Sequence, residues 1–151
     1  MKNENKIKSN MKLNFVLIDD SEIDLFVNQK FIEKSVGDVE ILTFIRAKNA
    51  LEHFSALSGQ PNTDHSFIPD FIFVDINMPE MDGFEFLDAF AKLKSEHFPN
   101  TKVYIVSSST LLKEIVAADN HFACDGFISK PLTSRSMQQL VDSVTSKIAD
   151  K

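Results

Sequence analysis

Cysteine and long apolar runs are both scarce in this sequence, and each scarcity excludes a class of protein. The only cysteine among the 151 residues is Cys124, so the chain cannot form an internal disulfide or a cysteine-based zinc site. A single cysteine is typical of a reducing compartment, and we predict a cytoplasmic location. The longest aliphatic or aromatic runs have four residues, which excludes a membrane-spanning helix, and we expect no membrane partner.

Basic residues are outnumbered by acidic ones. The formal net charge is −6, which argues against nucleic acid as the main partner. Residues 1–12 are polar and contain four lysines, so we predict that they form a flexible basic leader rather than a secretory signal. The remaining residues 13–151 carry 12 basic and 21 acidic side chains, a balance that suits metal cations or basic partner surfaces. Because no Pro/Gly-rich linker divides them, we predict that residues 13–151 form one domain.

Short apolar runs alternate with helical patterns along the chain. The apolar runs predict five strands, at residues 13–18, 39–44, 71–74, 103–106 and 126–129. The helical patterns predict five helices, at residues 21–34, 47–57, 83–98, 110–119 and 134–148. Such alternation is typical of a parallel sheet with helices on both faces, so we predict a doubly wound α/β fold. The connection 58–70 is long for this fold, and we assign no role to it.

Polar residues end four of the five predicted strands. Asp19 and Asp20 follow the first strand, and Asp75 follows the third. Ser107 follows the fourth strand and Lys130 the fifth. The carboxyl ends of parallel strands share one edge of the sheet, where doubly wound folds bind their ligands. We therefore expect these five side chains to meet in one site.

Each of these residues also has a purely structural interpretation. Asp19 and Asp20 precede a helix and could act as caps, while Asp75 could belong to a turn. Ser107 could bond to local backbone, and a single Lys-Pro pair is common. The occurrence of such residues at four strand ends of one topology favours the functional interpretation.

Three carboxylates in one site limit its chemistry. They cannot all ionise without a raised pKa unless a cation compensates them, and a hard divalent ion such as Mg²⁺ prefers oxygen ligands. With Mg²⁺ and Lys130 present, a carboxylate can attack phosphorus while the cations and the hydroxyl of Ser107 bind the phosphoryl oxygens. The residues therefore predict phosphoryl transfer to an aspartate.

These motifs closely resemble the receiver domain of two-component response regulators. The resemblance covers residues 13–148 and is carried by Asp19-Asp20, by the segment 71–83 (FIFVDINMPEMDG), by Ser107 and by the segment 127–131 (FISKP). It implies the flavodoxin-like strand order 2-1-3-4-5. We expect a stand-alone, single-domain regulator similar to the chemotaxis regulators, with no output domain.

The resemblance also implies a role for each site residue. Asp75 would be the phosphoacceptor, and its donor would be a phosphohistidine of a sensor histidine kinase or histidine phosphotransfer protein. Mg²⁺, or Mn²⁺ in its place, would bind Asp20, Asp75 and the backbone carbonyl of Asn77. Asp19 would reach the metal through water, and Lys130 would pair with the phosphoryl group.

The resemblance further implies a conformational switch with a protein as its target. Ser107, where threonine is commoner, would turn towards a phosphoryl oxygen, and Phe127 would follow it inward. The Lys130-Pro131 peptide would be cis. The signal would pass to a downstream protein or along a phosphorelay.

Two other classes of protein remain as alternatives. Haloacid-dehalogenase-type phosphatases also phosphorylate an aspartate on a similar fold, but they typically have a second acid two positions later, where this chain has Asn77. A receiver-like domain that is never phosphorylated usually lacks an acidic residue or the lysine, whereas this chain has them all.

The first predicted helix has apolar residues around most of its circumference. One side carries Ile23, Phe26, Val27, Lys30 and Phe31; if this side is the buried stripe, Leu25 and Ile32 lie on the opposite side. With this register we predict that Leu25 and Ile32 form an exposed docking strip for a helical phosphotransfer partner. Single exposed apolar residues are ordinary, which is the alternative interpretation.

Overall fold

The computed structural model describes residues 12–59 and 67–149, with side chains through residue 144. Residues 1–11 of the predicted leader and residues 60–66 of the long connection lie outside the described residues. None of the helices in the described parts of the chain has both the length and the apolar character needed to cross a membrane.

Strands and helices alternate along the described chain, as the sequence pattern predicts. The strands are β1 (Leu13–Ile18), β2 (Val39–Phe44), β3 (Phe71–Val74), β4 (Lys102–Ser107) and β5 (Gly126–Ser129). The helices are α1 (Glu22–Val36), α2 (Ala47–Ser58), α3 (Gly83–His97), α4 (Leu112–Asn120) and α5 (Ser134–Ala149). The predicted bounds differ from these by at most two residues at any end, which is the usual uncertainty of helix and strand termini.

The strands form one parallel sheet in the order β2-β1-β3-β4-β5. This is the doubly wound, flavodoxin-like order, so the predicted fold is confirmed. The central strand β3 is buried along its whole length, which explains why its residues Phe71–Val74 are all apolar.

The two faces of the sheet are covered by different helices. On one face Val16 and Ile18 of β1 belong to the core that α2, α3 and α4 complete. On the other face Phe15 and Leu17 belong to the core that α1 and α5 complete. Alternate residues of β1 therefore enter opposite cores, because successive side chains of a strand point to opposite faces.

The predicted register of α1 is wrong. Leu25 and Ile32 are 7% and 0% exposed and pack in the core with α5, so they cannot form a docking strip. Ile23 and Phe26 are 76% and 61% exposed. The buried side includes a polar residue, Asn28, while apolar residues lie on the exposed side, so the helical periodicity of apolar residues does not identify the buried side.

Candidate functional site

The residues that follow the strands are brought together by backbone hydrogen bonds across the sheet. Each of three residues donates its N–H to the carbonyl that ends a neighbouring strand: Asp19 to Phe44 (3.0 Å), Asp75 to Ile18 (2.9 Å) and Lys130 to Ser107 (3.0 Å). The ladder of the sheet thus continues one step beyond the strands. The side chains that follow have fixed positions along one edge, as the sequence predicts.

Three carboxylates converge at this edge. Oxygens of Asp19, Asp20 and Asp75 all lie within 4.8 Å of one another, close enough to hold one metal ion. Asp19 is buried and accepts a hydrogen bond from the backbone N–H of Ser21 at 2.9 Å, whereas Asp20 is exposed. An oxygen-only donor set of this charge fits a hard divalent cation such as Mg²⁺.

Lys130 is the basic residue of the site, and it has more partners than the sequence indicates. Its ammonium donates to Asp19 Oδ2 at 2.6 Å and to Asp24 Oδ2 at 2.7 Å. The Nζ lies 3.7 Å from Asp75 Oδ1, which is an ion pair but is too long for a hydrogen bond. Asp24 was not among the residues predicted for the site. In the sequence it reads as an ordinary acidic residue in the first turn of a helix.

The close approach of these charges perturbs two pKa values. Burial raises the pKa of the Asp75 carboxyl to about 6, and repulsion from Asp19 adds to the rise, while Lys130 opposes it. Burial would lower the pKa of Lys130, but its hydrogen bonds to Asp19 and Asp24 outweigh that effect and raise it. A carboxyl with a raised pKa next to an ammonium that stays charged is typical of a site built to bind a cation or transfer a group.

A tight loop holds Asp75 in place. Asp82 caps α3 by accepting a hydrogen bond from Glu85 N at 2.8 Å, and the Glu85 carboxylate in turn accepts one from Asp82 N at 2.9 Å. The N–H of Gly83 donates to Ile76 O at 2.9 Å, and a Cβ at Gly83 would overlap the carbonyl oxygen of Asp75. Glycine is therefore required at this position. Asn77 lies exposed within the loop, two residues after Asp75.

The hydroxyl of Ser107 is joined to α4. Ser107 is 1% exposed, and its Oγ accepts a hydrogen bond from Ser109 N at 3.1 Å. The Oγ of Ser109 in turn donates to the Glu114 carboxylate in the first turn of α4. Ser109 and Glu114 were not predicted for the site, because nothing in the sequence marks a serine and a glutamate five residues apart as partners.

Two further expectations concern β5 and the residue that follows it. Phe127 is half-buried and packs at the edge of the core that contains α4. The Lys130-Pro131 peptide is cis, as the resemblance implies.

Comparison with known proteins identifies the family. The sequence model of the response regulator receiver domain matches residues 15–142, most of the chain, and the chain belongs to this family. Two-component response regulator ORR1 of rice (Oryza sativa subsp. japonica) is 32% identical over 127 residues, which are 83% of this chain and 52% of that protein. The chain thus spans about half the length of the curated relatives it matches.

Comparison with solved structures leads to the same family. A two-component response regulator from Cytophaga hutchinsonii is 30% identical, with a TM-score of 0.73 over 90% of this chain and 99% of its own. A response regulator receiver protein from Dyadobacter fermentans is 26% identical, with a TM-score of 0.72 over 87% of this chain and 96% of its own. The domain is therefore a receiver domain of the two-component signalling type.

Proposed function

We propose that this receiver domain accepts a phosphoryl group on Asp75 from a phosphohistidine of a sensor histidine kinase or histidine phosphotransfer protein. The observation that carries the proposal is the meeting of three carboxylates and Lys130 at the carboxyl edge of the sheet. The phosphorylated domain then signals through a protein target or a phosphorelay. A cytoplasmic location is a prediction from the sequence alone.

The proposed transfer is a displacement at phosphorus. An oxygen of the Asp75 carboxylate forms the new P–O bond while the P–N bond of the phosphohistidine breaks. The electron pair of that bond stays on the imidazole nitrogen, which takes a proton from solvent. Lys130 binds a phosphoryl oxygen, and the hydroxyl of Ser107 turns to donate to another, which would break its link with Ser109 and α4. Phe127, at the edge of the α4 core, would follow it inward.

The metal site of the proposal consists of oxygen ligands. We assign Mg²⁺, or Mn²⁺ in its place, to Asp20, Asp75 and the carbonyl of Asn77, with Asp19 acting through water. When bound, the ion supplies charge neutralisation to the carboxylates and the phosphoryl oxygens. The raised pKa of Asp75 supports this assignment, because a carboxyl crowded by other carboxylates gains most from a cation.

Mass spectrometry after incubation with acetyl phosphate and Mg²⁺ tests the proposal. We expect one phosphoryl adduct, located on Asp75 by peptide fragmentation and absent when EDTA replaces Mg²⁺. No adduct under any condition would instead indicate a receiver domain that is never phosphorylated. Rapid turnover of phosphate esters would indicate a phosphatase.

The metal assignment predicts a loss of affinity when Asp20 becomes Asn. Asp20→Asn removes one charged ligand, so we expect Mg²⁺ affinity to fall about 10-fold to 100-fold while the fold is kept. Isothermal titration calorimetry with Mg²⁺ measures the change. Asp38→Asn, at the other end of the sheet, removes the same charge and should leave the affinity within about twofold of wild type. Equal affinities for the two variants would contradict the assignment.

The corrected register of α1 supplies a docking surface for the phosphodonor. The exposed apolar residues Ile23, Phe26 and Val27 lie in the first turns of α1, beside Asp19 and Asp20. Val27 also lines a groove of about 350 Å³ that contains Lys130. A donor histidine must approach this edge to reach Asp75. We therefore propose that a helix of the donor packs on the α1 surface formed by Ile23, Phe26 and Val27.

The double variant Ile23→Ser/Phe26→Ser tests this surface. Both side chains are largely exposed, so thermal stability and labelling by acetyl phosphate should stay near wild type. Transfer from a phosphorylated protein donor should fall about tenfold through weaker binding. Phe122→Ser, an exposed aromatic change at the opposite end of the sheet, is the matched control. Unchanged transfer by the double variant would place the donor elsewhere.

A further inference from the structure

The contacts of Lys130 raise a question about the phosphorylated state. An ammonium group has three N–H donors. Two of them are used by Asp19 and Asp24, at 2.6 and 2.7 Å, and Asp75 is farther away at 3.7 Å. In this arrangement Lys130 is directed at two carboxylates other than the proposed phosphoacceptor. One N–H remains, so a phosphoryl group on Asp75 would share the ammonium with these two carboxylates and compete with them for its position.

Asp19 is poorly suited to give up this contact. Its side chain is 6% exposed, and its other oxygen accepts a hydrogen bond from Ser21 N at 2.9 Å. Loss of Lys130 would leave a buried charge without its cation, which is costly in a protein interior. The bond between Asp19 and Lys130 is thus the stable part of the arrangement.

Asp24 differs from Asp19 in its access to water. Its side chain is 42% exposed, so the carboxylate can be hydrated when it releases Lys130. Its backbone position is fixed independently, because Asp24 N donates to the capping hydroxyl of Ser21 at 3.2 Å. Release of Lys130 therefore requires only a side-chain rotation at the start of α1.

We propose, on the basis of the function proposed above, that Asp24 is a positioning residue that holds Lys130 in the unphosphorylated protein and competes with the phosphoryl group for it. Asp24 acts on the reaction through Lys130 rather than by touching the reacting atoms. Its competition weakens the hold of the site on the phosphoryl group. The unphosphorylated state is thereby favoured, and the lifetime of the phosphorylated state is shortened.

Beryllofluoride, an anionic mimic of the phosphoryl group, provides the test. Its affinity for the full chain is measured by calorimetry at saturating Mg²⁺, so that a change in metal affinity does not enter. Asp24→Asn should bind beryllofluoride about fivefold more tightly than wild type, because Lys130 no longer has to be released from a carboxylate. The acetyl-phosphate-labelled variant should lose its label more slowly by a similar factor.

Glu22→Gln is the matched control. Glu22 lies in the same first turn of α1, and among the described residues it has no hydrogen bond or ion pair with Lys130. This variant removes one negative charge near the site without freeing the lysine, and its affinity for beryllofluoride should change less than about twofold. An equal increase in beryllofluoride affinity in the two variants, or no increase in Asp24→Asn, would overturn the role of Asp24. If the wild-type protein does not bind beryllofluoride at all, the proposed function fails first and the role of Asp24 with it.

A second measurement requires neither metal nor phosphoryl mimic. The ammonium protons of Lys130 can be observed by NMR in the metal-free protein. They should exchange with water faster in Asp24→Asn than in wild type or Glu22→Gln at the same pH, because a neutral amide oxygen replaces one of their two carboxylate acceptors and binds the ammonium more weakly. Equal exchange rates would mean that Asp24 does not hold Lys130 in solution, which contradicts the proposal.

Discussion

Replacement of Asp75 by asparagine should abolish phosphoryl acceptance and, in the metal-free protein, stabilise the fold at neutral pH. The first effect follows because an amide is not a nucleophile towards phosphorus. The second follows because the variant removes a carboxyl whose pKa is raised to about 6 by burial and by Asp19. An ionised Asp75 is unfavourable in the folded protein at pH 7.5, whereas the asparagine side chain that replaces it carries no charge.

The pH dependence of the stability gain has a definite sign. A carboxyl with a folded pKa above its ordinary 3.8 favours folding when protonated, and this contribution is lost as pH rises through about 6. The free energy of unfolding of Asp75→Asn should therefore exceed that of wild type by about 1 to 2 kcal/mol at pH 7.5, after allowance for solvent screening. Near pH 4 the two free energies should be almost equal. Urea denaturation in EDTA at pH 7.5, 6 and 4 measures the difference.

Two comparisons identify the source of that gain. Saturating Mg²⁺ should stabilise wild type more than the variant, because a ligand that binds only the folded state raises stability. The stability advantage of Asp75→Asn over wild type should then shrink or reverse. Asp38→Asn, far from the site, should show no gain at any pH. A gain in Asp75→Asn that is equal at pH 4 and pH 7.5 would show that ionisation of Asp75 is not its cause.

The fold and much of the site could be predicted because their signals are local in the sequence. A strand such as β3, buried on both faces, must be apolar throughout, and the first polar residue after it marks the carboxyl edge of the sheet. Asp75 and Lys130 could be placed at the same edge without knowledge of a single side-chain contact. Parallel strands alone bring these residues together.

The register of α1 could not be predicted in the same way. Apolar residues occur on both sides of this helix, so periodicity gives no clear stripe, and the choice depends on packing against α5. Lys30, whose ammonium lies 5.5 Å from the ring centroid of Phe26, marks the solvent side in the structure. The role of Asp24 in the site could not be predicted for a related reason. Its contact with Lys130 joins residues 106 positions apart, and no local pattern encodes such a pair.

Replacement of Lys130 by alanine should have a large effect on stability as well as on signalling. The side chain of Lys130 is 12% exposed and neutralises Asp19, whose side chain is 6% exposed. Without the ammonium, Asp19 and Asp75 have no cationic partner among the described residues of the metal-free protein, and we expect the free energy of unfolding to fall by about 2 kcal/mol at pH 7.5. Part of this loss should be recovered at pH 5, because Asp75 then becomes protonated, and part should be recovered by Mg²⁺. Denaturation with and without EDTA measures both recoveries.

The signalling defect of Lys130→Ala should be separable from its effect on stability. Asp75 and the metal ligands are retained, so with Mg²⁺ present the variant should still accept some phosphoryl group from acetyl phosphate. Hydrogen exchange around Phe127 should then respond much less to beryllofluoride than in wild type, because no ammonium holds the phosphoryl oxygen. Lys92→Ala, an exposed lysine of α3, is the control for loss of one positive charge and should respond normally. A normal hydrogen-exchange response in Lys130→Ala would show that Lys130 is not needed for the conformational switch and that its role is to neutralise Asp19.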